Sequence, residues 1–190
     1  MEHLPVFMVR DSLDDVPQFD LPAPFAVRRY RPGDAATWLR IQKASDRYSI
    51  FPYEKFAQQF GADDGVLAER QLFLCDGEGR EVGTVTAWFA DHRGVPHGRI
   101  HWVAIVPDMQ GRGLAKPMLG AACSRLRELG HPRAFLDSQT MRVPALNLYL
   151  KFGFRPDIRH DDDLRAWRLV GPHLKPTYWQ WAVACVPELA

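Results

Sequence analysis

The sequence predicts one mixed α/β domain, in which a mostly antiparallel sheet contains a central parallel strand pair and carries helices on its flanks. Three observations support this fold class. Strand, helix, strand, helix and strand alternate between residues 99 and 158, which joins two parallel strands by a crossover. A glycine-bearing turn at 76–79 is typical of an antiparallel hairpin. The chain has 190 residues, of which 46% are hydrophobic, enough for one domain with its own core.

Composition divides the chain into three parts. Residues 1–24 contain four prolines and are interpreted as an N-terminal arm with room for one short strand. Residues 25–170 carry the periodic elements and form the domain. Residues 171–190 form a C-terminal extension whose aromatic segment Tyr178–Trp181 is too apolar to stay in water. We expect this extension to pack on the domain or on a partner subunit, and it could support a homodimer.

The elements follow in order from local patterns. Phe25–Tyr30 is predicted as a strand, and Asp34 as the N-cap of a helix over 35–47. A short helix covers 52–60. Pro144 suits a first helical turn, and periodic apolar residues after Gly113 predict a longer helix. The other predicted elements are the strands Gln71–Cys75, Glu81–Ala90, Arg99–Val106 and Arg133–Thr140, the helices 114–129 and Pro144–Phe152, and a closing pair of strands, Phe154–Ile158 and Leu164–Val170, around a turn at His160–Asp163.

Charge and cysteine content disfavour several classes of function. A net charge of +1 lacks the basic excess that nucleic-acid binding uses. Cys75, Cys123 and Cys185 form neither a disulfide framework nor a paired metal motif, and Asp161–Asp163 lacks metal-ligand spacing. No apolar stretch is long enough for a bilayer, and the N-terminus lacks a signal-peptide pattern. We therefore expect a cytoplasmic protein with no metal site, no nucleic-acid partner and no membrane anchor.

The most informative segment is Gln110–Ala115, where a predicted strand passes into a helix. The first N–H groups of a helix have no partner within it, and the helix dipole makes that end positive, so a glycine-rich turn there can bind phosphate. Gly111 and Gly113 let the backbone approach a ligand without a Cβ in the way. Pro117 tolerates only the first helical turn, so the helix starts near Gly113.

The amides of Gly111, Gly113, Ala115 and Lys116 are therefore expected to converge on a phosphate. Arg112 and Lys116 add charge that suits a pyrophosphate or a 3′-phosphate. A GxxxxGK[ST] loop is absent, and the glycine spacing does not fit the GxGxxG dinucleotide motif. Taken alone, the turn is also compatible with an ordinary helix start.

In these residues the chain resembles the GCN5-related N-acetyltransferase (GNAT) family. Gln110–Ala115 matches each fixed position of the family's pyrophosphate signature, Q/R-x-x-G-x-G/A. Ala104–Pro107 resembles the hydrophobic strand end before it, and Pro144–Phe154 resembles the second signature, A-x-x-L-Y-x-x-x-G-F. The resemblance covers residues 25–170. One position departs from the family pattern, because Arg142 stands where many members carry asparagine. This departure concerns one side-chain contact to the cofactor and not the binding mode.

The resemblance implies a fold and a cofactor. The strands Arg99–Val106 and Arg133–Thr140 would diverge as a splayed parallel pair, with acetyl-CoA in the gap. Its pantetheine arm would bond to the backbone of Val103 and Ile105 like an additional strand. The implied cofactor-binding residues are Val103, Ala104, Ile105, Gln110, Gly111, Arg112, Gly113, Leu114, Ala115, Lys116 and Asn147.

Acetyl transfer from a thioester to an amine needs a deprotonated amine, a donor for the oxyanion and a stabilised thiolate leaving group. Tyr149 is predicted as the acid for the thiolate, the alternative being a tyrosine packed on the sheet. His101 is the candidate base, since on a regular strand it shares a face with Val103 and Ile105 if no bulge intervenes. The alternatives for the base are His97, a water chain, or a purely structural histidine.

These observations predict an N-acetyltransferase that moves an acetyl group to the primary amine of a small molecule or a peptide by direct attack in a ternary complex. The alternative is a non-catalytic acyl-CoA-binding or sensor domain of the same fold. The acceptor would be read by 48–60, 91–98 and the turn at His160–Asp163, and no motif in these loops identifies it.

Overall fold

The computed structural model describes all residues, Met1–Ala190, and consists of one seven-stranded sheet with helices on its flanks. In chain order the strands are β1 (Pro5–Arg10), β2 (Ala26–Arg29), β3 (Gln71–Cys75), β4 (Glu81–His92), β5 (Val95–Ile105), β6 (Ala134–Gln139) and β7 (Arg155–Pro156). The helices are α1 (Ala35–Ser45), α2 (Lys55–Phe60), α3 (Asp64–Arg70), α4 (Ala115–Glu128), α5 (Val143–Lys151), α6 (Asp161–Val170) and α7 (Pro176–Cys185). No helix combines the length and the apolar character that crossing a bilayer requires.

The strand order across the sheet is β2-β3-β4-β5-β6-β1-β7, and every neighbouring pair is antiparallel except β5 and β6. This confirms the predicted fold class. The parallel pairing is short, since only Gly98 with Ala134 and Arg99 with Phe135 are in register. Beyond Arg99, β5 runs on to Ile105 without a partner on that side, so the two strands part and leave a gap.

The N-terminal strand lies inside the sheet. The sequence allowed one short strand in residues 1–24, and β1 fills that prediction by pairing along its whole length with β6 and, on its other side, with β7. Val6 and Met8 point into the core and are almost completely buried. The first residues of the chain therefore complete the sheet next to the parallel pair.

The predicted closing pair of strands is wrong. Only Arg155–Pro156 is extended, and residues 161–170 form α6. The buried positions Asp163, Ala166, Trp167 and Val170 recur at the helical spacing of three and four residues. The Asp163 carboxylate accepts hydrogen bonds from the backbone N–H groups of Arg159 and His160, at 2.8 and 3.0 Å, which fixes the helix start. The acidic run at 161–163 is thus a first helical turn, favoured by the helix dipole.

Two further elements differ from the sequence prediction. Residues 64–70 form the unpredicted helix α3, whose start is capped by the Asp63 carboxylate accepting from the N–H groups of Gly65 and Val66. The predicted loop 91–98 is instead a tight hairpin, in which β4 and β5 stay paired up to His92 and Val95. The C-terminal extension forms α7 and contacts α5 and β7, so it packs on its own domain.

Candidate active site

A cavity of about 990 Å³ lies beside the free end of β5. Its walls are formed by the end of β5, the turn before α4, helix α5, the C-terminal end of α1, and Lys175 with Tyr178 at the start of α7. The structure brings eleven of the thirteen predicted site residues together here: Val103, Ala104, Ile105, Gln110, Gly111, Gly113, Leu114, Ala115, Lys116, Asn147 and Tyr149. Arg112 and His101 are not among the lining residues.

The turn before α4 has the geometry that its glycines predicted. Gly111 and Gly113 adopt φ values of 76° and 80°, in the left-handed region where a Cβ is strained. A Cβ at either position would meet nothing within 4 Å, so backbone conformation and not crowding selects glycine. The side-chain amide of Gln110 donates to the carbonyl of Ile105 at 2.7 Å. This bond ties the turn to the end of β5 and explains the glutamine of the signature.

The two basic residues at the turn, Arg112 and Lys116, differ in their position relative to the cavity. The Arg112 guanidinium lies outside the cavity, where it donates to the Asp108 carbonyl at 3.3 Å. The Lys116 side chain lines the cavity, but its backbone N–H donates to the Gly113 carbonyl at 3.2 Å. The amide of Lys116 therefore serves the turn itself, which corrects the expectation that it converges with the other amides on a ligand.

A bulge in β5 separates His101 from the cavity. Thr86 pairs with His101 and Thr84 with Ala104, so β5 carries one more residue than β4 between these pairs. The bulge lies at Trp102, whose φ is 52°. Directly paired residues share a sheet face, so His101 lies on the face of Ala104 and not on that of Val103 and Ile105. The prediction that His101 shares a face with Val103 and Ile105 is therefore wrong, because the bulge interrupts the regular strand between them.

His101 is instead packed in the core. Its side chain is 6% exposed, and its ring lies 5.5 Å from that of Phe60, centroid to centroid. Burial lowers the pKa of His101 well below its ordinary value, and the charges of Arg99 and Lys55 act in the same direction. His97, the alternative base, is also buried, stands at the far end of β5 and is not a lining residue. No histidine lines the cavity.

The buried neutral imidazole predicts a pH effect on stability. The unfolded chain binds a proton at His101 near pH 6.5, whereas the folded chain does not, so this contribution is complete above pH 6.5 and is lost as the pH falls. We expect the free energy of unfolding of the wild type to drop about 1 kcal/mol more between pH 6.5 and 5.5 than that of His101→Gln. Urea denaturation at both pH values measures this, and equal drops in the two proteins would contradict the assignment.

Tyr149 stands in the cavity wall on α5. Its side chain is 8% exposed, and burial raises the pKa of its phenol to about 12. The phenol therefore stays protonated, and able to donate, at neutral pH. A simple thiol has a pKa of about 8.5, so complete proton transfer from this phenol to a thiolate is uphill. The raised pKa favours a hydrogen-bond donor over a full proton donor.

The departure at Arg142 has a structural explanation. Its guanidinium donates to the Asp46 carboxylate at 2.7 Å and to the Gln139 side chain at 3.1 Å, which joins the start of α5 to the end of α1 across the cavity. Asn147, predicted to bind the cofactor, donates to the Val143 carbonyl at 3.1 Å and accepts from the backbone N–H of Lys175 at 2.9 Å. Both polar atoms of the Asn147 amide are thus engaged, the nitrogen within α5 and the oxygen at Lys175, which precedes α7.

Asp46 is the acidic side chain in the cavity wall, and the sequence did not single it out. Burial alone would raise the pKa of this carboxyl. Hydrogen bonds from the Tyr48 amide and the Ser49 hydroxyl, together with the charge of Arg142, outweigh burial and lower the pKa. Asp46 is therefore ionised. Lys175 and Tyr178 were also missed as lining residues, and the signal that could have found them is the apolar tail that needed a partner.

A parted parallel pair, a glycine turn at the start of the following helix and a buried tyrosine on the next helix together define an acyltransferase. Residues 35–154 match the family model described as the Acetyltransferase (GNAT) family. This match covers more than half of the chain. The protein therefore belongs to the GNAT acetyltransferase family.

The chain is similar to two curated relatives that carry the same name. It is 28% identical over 155 residues to the mycothiol acetyltransferase of Streptomyces coelicolor, a match that covers 79% of this chain and 48% of the relative. It is 28% identical over 149 residues to that of Streptomyces griseus, covering 76% and 46%. The chain thus spans about half the length of the curated relatives it matches.

Solved structures share the fold. A GCN5-related N-acetyltransferase from Sphaerobacter thermophilus superposes with a TM-score of 0.66 at 20% identity, over 80% of this chain and 48% of that one. A chain of the NatC complex, solved with Gag peptide and CoA, superposes with a TM-score of 0.51 at 21% identity, over 66% of this chain and 80% of that one. At these identities the similarity supports the architecture and not the substrate.

Proposed function

We propose that this chain transfers the acetyl group of acetyl-CoA to the amine of a small molecule, by direct attack within a ternary complex. The observation that carries the proposal is the convergence of the glycine turn, the free edge of β5 and Tyr149 on one cavity. Each of these serves a different part of one cosubstrate. A site for phosphate alone would need neither the free strand edge nor the tyrosine.

The residues present fit acetyl-CoA. The left-handed glycines leave backbone N–H groups at the start of α4 open to a pyrophosphate. The unpaired edge of β5 from Ile100 to Ile105 can accept an extended pantetheine arm as an additional strand. The Gln110 side chain holds these two parts of the site at a fixed separation, because it bonds the turn to the carbonyl of Ile105.

Acetyl-CoA supplies an activated thioester carbonyl when bound. The amine nitrogen forms a bond to that carbonyl carbon and loses a proton, and the carbon–sulfur bond then breaks with its electron pair leaving on sulfur. Tyr149 donates a hydrogen bond to the departing sulfur. Its raised pKa keeps the phenol protonated at neutral pH, so that it can act as a donor.

The proton of the amine leaves through water. No histidine lines the cavity, and the one acidic side chain in its wall, Asp46, has a lowered pKa and is bound to Arg142. A carboxylate of this kind is a weak base, and the guanidinium of Arg142 balances its charge. We therefore assign removal of the proton to water. His101 is left without a role in proton transfer.

The relatives named for mycothiol favour a small-molecule acceptor. The test is an acceptor screen on the full chain with acetyl-CoA, in which free CoA is followed by a thiol reagent and the panel contains small-molecule amines and peptide α-amines. We expect at least one small-molecule amine to stimulate CoA release. Tight binding of acetyl-CoA with no release for any amine would contradict catalysis and support the alternative, an acyl-CoA-binding domain.

A further inference from the structure

Trp102 stands in the bulge of β5 with a backbone conformation that is costly for a large side chain. Its φ of 52° lies in the left-handed region, and Arg93 is the only other non-glycine residue with a positive φ. Arg93 lies in the tight turn between β4 and β5, where left-handed residues are common. Trp102 lies within a strand instead, so its surroundings must hold it in place. Strained residues of this kind cluster at functional sites.

Two glutamines from different helices hold the two ends of Trp102. The side-chain amide of Gln42, on α1, donates to the main-chain carbonyl of Trp102 at 3.2 Å. The indole N–H of Trp102 donates to the side-chain oxygen of Gln59, on α2, at 2.9 Å. The indole also meets the rings of Trp38 and Phe51 edge to face, each 5.5 Å away between centroids. The main chain and the side chain of Trp102 are thus fixed independently.

Gln42 is a buried polar residue in the wall of the cavity. It is 2% exposed and belongs to the lining residues. A buried amide is stable only where it finds a hydrogen-bond partner. Trp102 has no register partner in β4, because the bulge places it between two pairs, and its carbonyl accepts from Gln42. The glutamine therefore ties α1 to the irregular part of β5.

The hydrogen bonds of β5 show where the next N–H points. The N–H of Val106 donates to the carbonyl of Val82 at 2.9 Å, so the main-chain groups of Val106 face β4. These groups alternate between the two edges of a strand from one residue to the next. The groups of Ala104, which pairs with Thr84, therefore also face β4, whereas those of Val103 face the opposite edge. No strand pairs with that edge beyond Arg99.

The carbonyl of Trp102 and the N–H of Val103 belong to one planar peptide group. This peptide is trans, so the two groups point in opposite directions. Fixing the carbonyl at Gln42 therefore also fixes the N–H of Val103 toward the free edge of β5. Val103 lines the cavity, which makes this N–H a donor available to a bound ligand.

We propose that Gln42 is a positioning residue for acetyl transfer, which holds the Trp102–Val103 peptide so that the Val103 N–H donates to the thioester oxygen. This role rests on the proposed function. When the amine nitrogen bonds to the carbonyl carbon, an electron pair moves onto that oxygen, and it returns as the carbon–sulfur bond breaks. A donor that is already in place stabilises the oxyanion without reorganisation. Gln59 supports the same peptide from the indole of Trp102.

Steady-state kinetics of Gln42→Met, with the best acceptor from the screen, tests this role. Methionine keeps the length of the side chain and removes the donor. We expect kcat to fall about tenfold and the Kd for acetyl-CoA, measured by calorimetric titration, to stay within twofold of the wild type, because only the transition state carries the oxyanion. Gln59→Met should lower kcat about threefold, since the main-chain bond from Gln42 remains.

Gln71→Met is the matched control. Gln71 is also buried, and its side-chain amide donates to the Thr86 hydroxyl at the same distance of 3.2 Å, but it lies outside the cavity. The two glutamine variants should lose similar stability in urea denaturation. Gln71→Met should nevertheless keep kcat within about twofold of the wild type, because it leaves the bulge intact.

Gln42→Glu provides a readout that a purely structural residue would not change. A protonated carboxyl can donate to the Trp102 carbonyl, whereas a carboxylate cannot. Burial raises the pKa of a carboxyl at this position. The kcat of Gln42→Glu relative to the wild type should therefore rise as the pH falls from about 8 to about 6, while the ratio for Gln42→Met stays constant.

Full kcat in Gln42→Met, or an equal loss in Gln71→Met, would overturn the role of Gln42 and leave the proposed function intact. A loss confined to the Kd for acetyl-CoA, or a constant ratio for Gln42→Glu, would do the same. If Gln42→Met did not fold, wild-type kcat in Gln59→Met would overturn the role. Failure of the wild type to release CoA with any amine would overturn both the role and the proposed function.

Discussion

Tyr149→Phe is expected to lower kcat about 100-fold and to change KM for acetyl-CoA less than about twofold. Removing one hydrogen-bond donor aimed at charge that develops in the transition state costs a factor of this order. The phenylalanine keeps the ring that packs against Phe154, 6.3 Å away between centroids, so the cavity wall is preserved. Steady-state kinetics of CoA release, with the best acceptor from the screen, measures both constants.

Tyr30→Phe provides the control for this substitution. The Tyr30 hydroxyl donates to Asp64 at 2.8 Å, and Tyr30 is not a residue of the cavity wall. Its loss should leave kcat within about twofold of the wild type. If Tyr149→Phe retained full kcat, the tyrosine would be a core residue and the leaving thiolate would need another donor. A proportional rise in KM instead would indicate a binding role.

The sequence predicted most of the residues that line the cavity, because the relevant signals are local. A glycine turn, a proline confined to the first helical turn and a tyrosine on the next helix each restrict their own neighbourhood. When the parallel pair forms, the order of strand, turn and helix brings these three features to the same cavity. Eleven of the thirteen predicted residues line the cavity for this reason.

His101 shows where such reasoning fails. Its predicted face depends on an unbroken period of two along β5, and one additional residue at Trp102 reverses the faces beyond it. A bulge at a non-glycine residue has no clear signature in a single sequence. The pairing of Asp46 with Arg142 in the cavity wall also lay beyond prediction, because the two residues meet only after α1 and α5 have packed.

The sequence of α6 carries helical signals. Asp163, Ala166, Trp167 and Val170 have helical spacing, and three aspartates before them suit a helix start. The prediction of a strand over Leu164–Val170 overlooked this helical spacing. The position of β1 inside the sheet could not be predicted, because nothing local in Pro5–Arg10 distinguishes an interior strand from an edge strand.

Gly113→Ala is expected to weaken acetyl-CoA binding at least tenfold. At a φ of 80° an alanine costs roughly 1–2 kcal/mol in the native turn, which the turn can relieve only by moving the backbone N–H groups that receive the pyrophosphate. A tenfold change in Kd corresponds to about 1.4 kcal/mol. Isothermal titration of the variant with acetyl-CoA gives the affinity directly.

Gly130→Ala is a close match for this substitution, because Gly130 ends α4 with a φ of 82°, has nothing within 4 Å of a Cβ, and lies outside the cavity. The two variants should lose similar stability in urea denaturation. The most direct test that the turn before α4 holds the cosubstrate is therefore the Kd for acetyl-CoA in this pair. We predict at least tenfold weaker binding for Gly113→Ala and wild-type binding, within twofold, for Gly130→Ala. Equal affinities in the two variants would contradict the placement of acetyl-CoA at this turn.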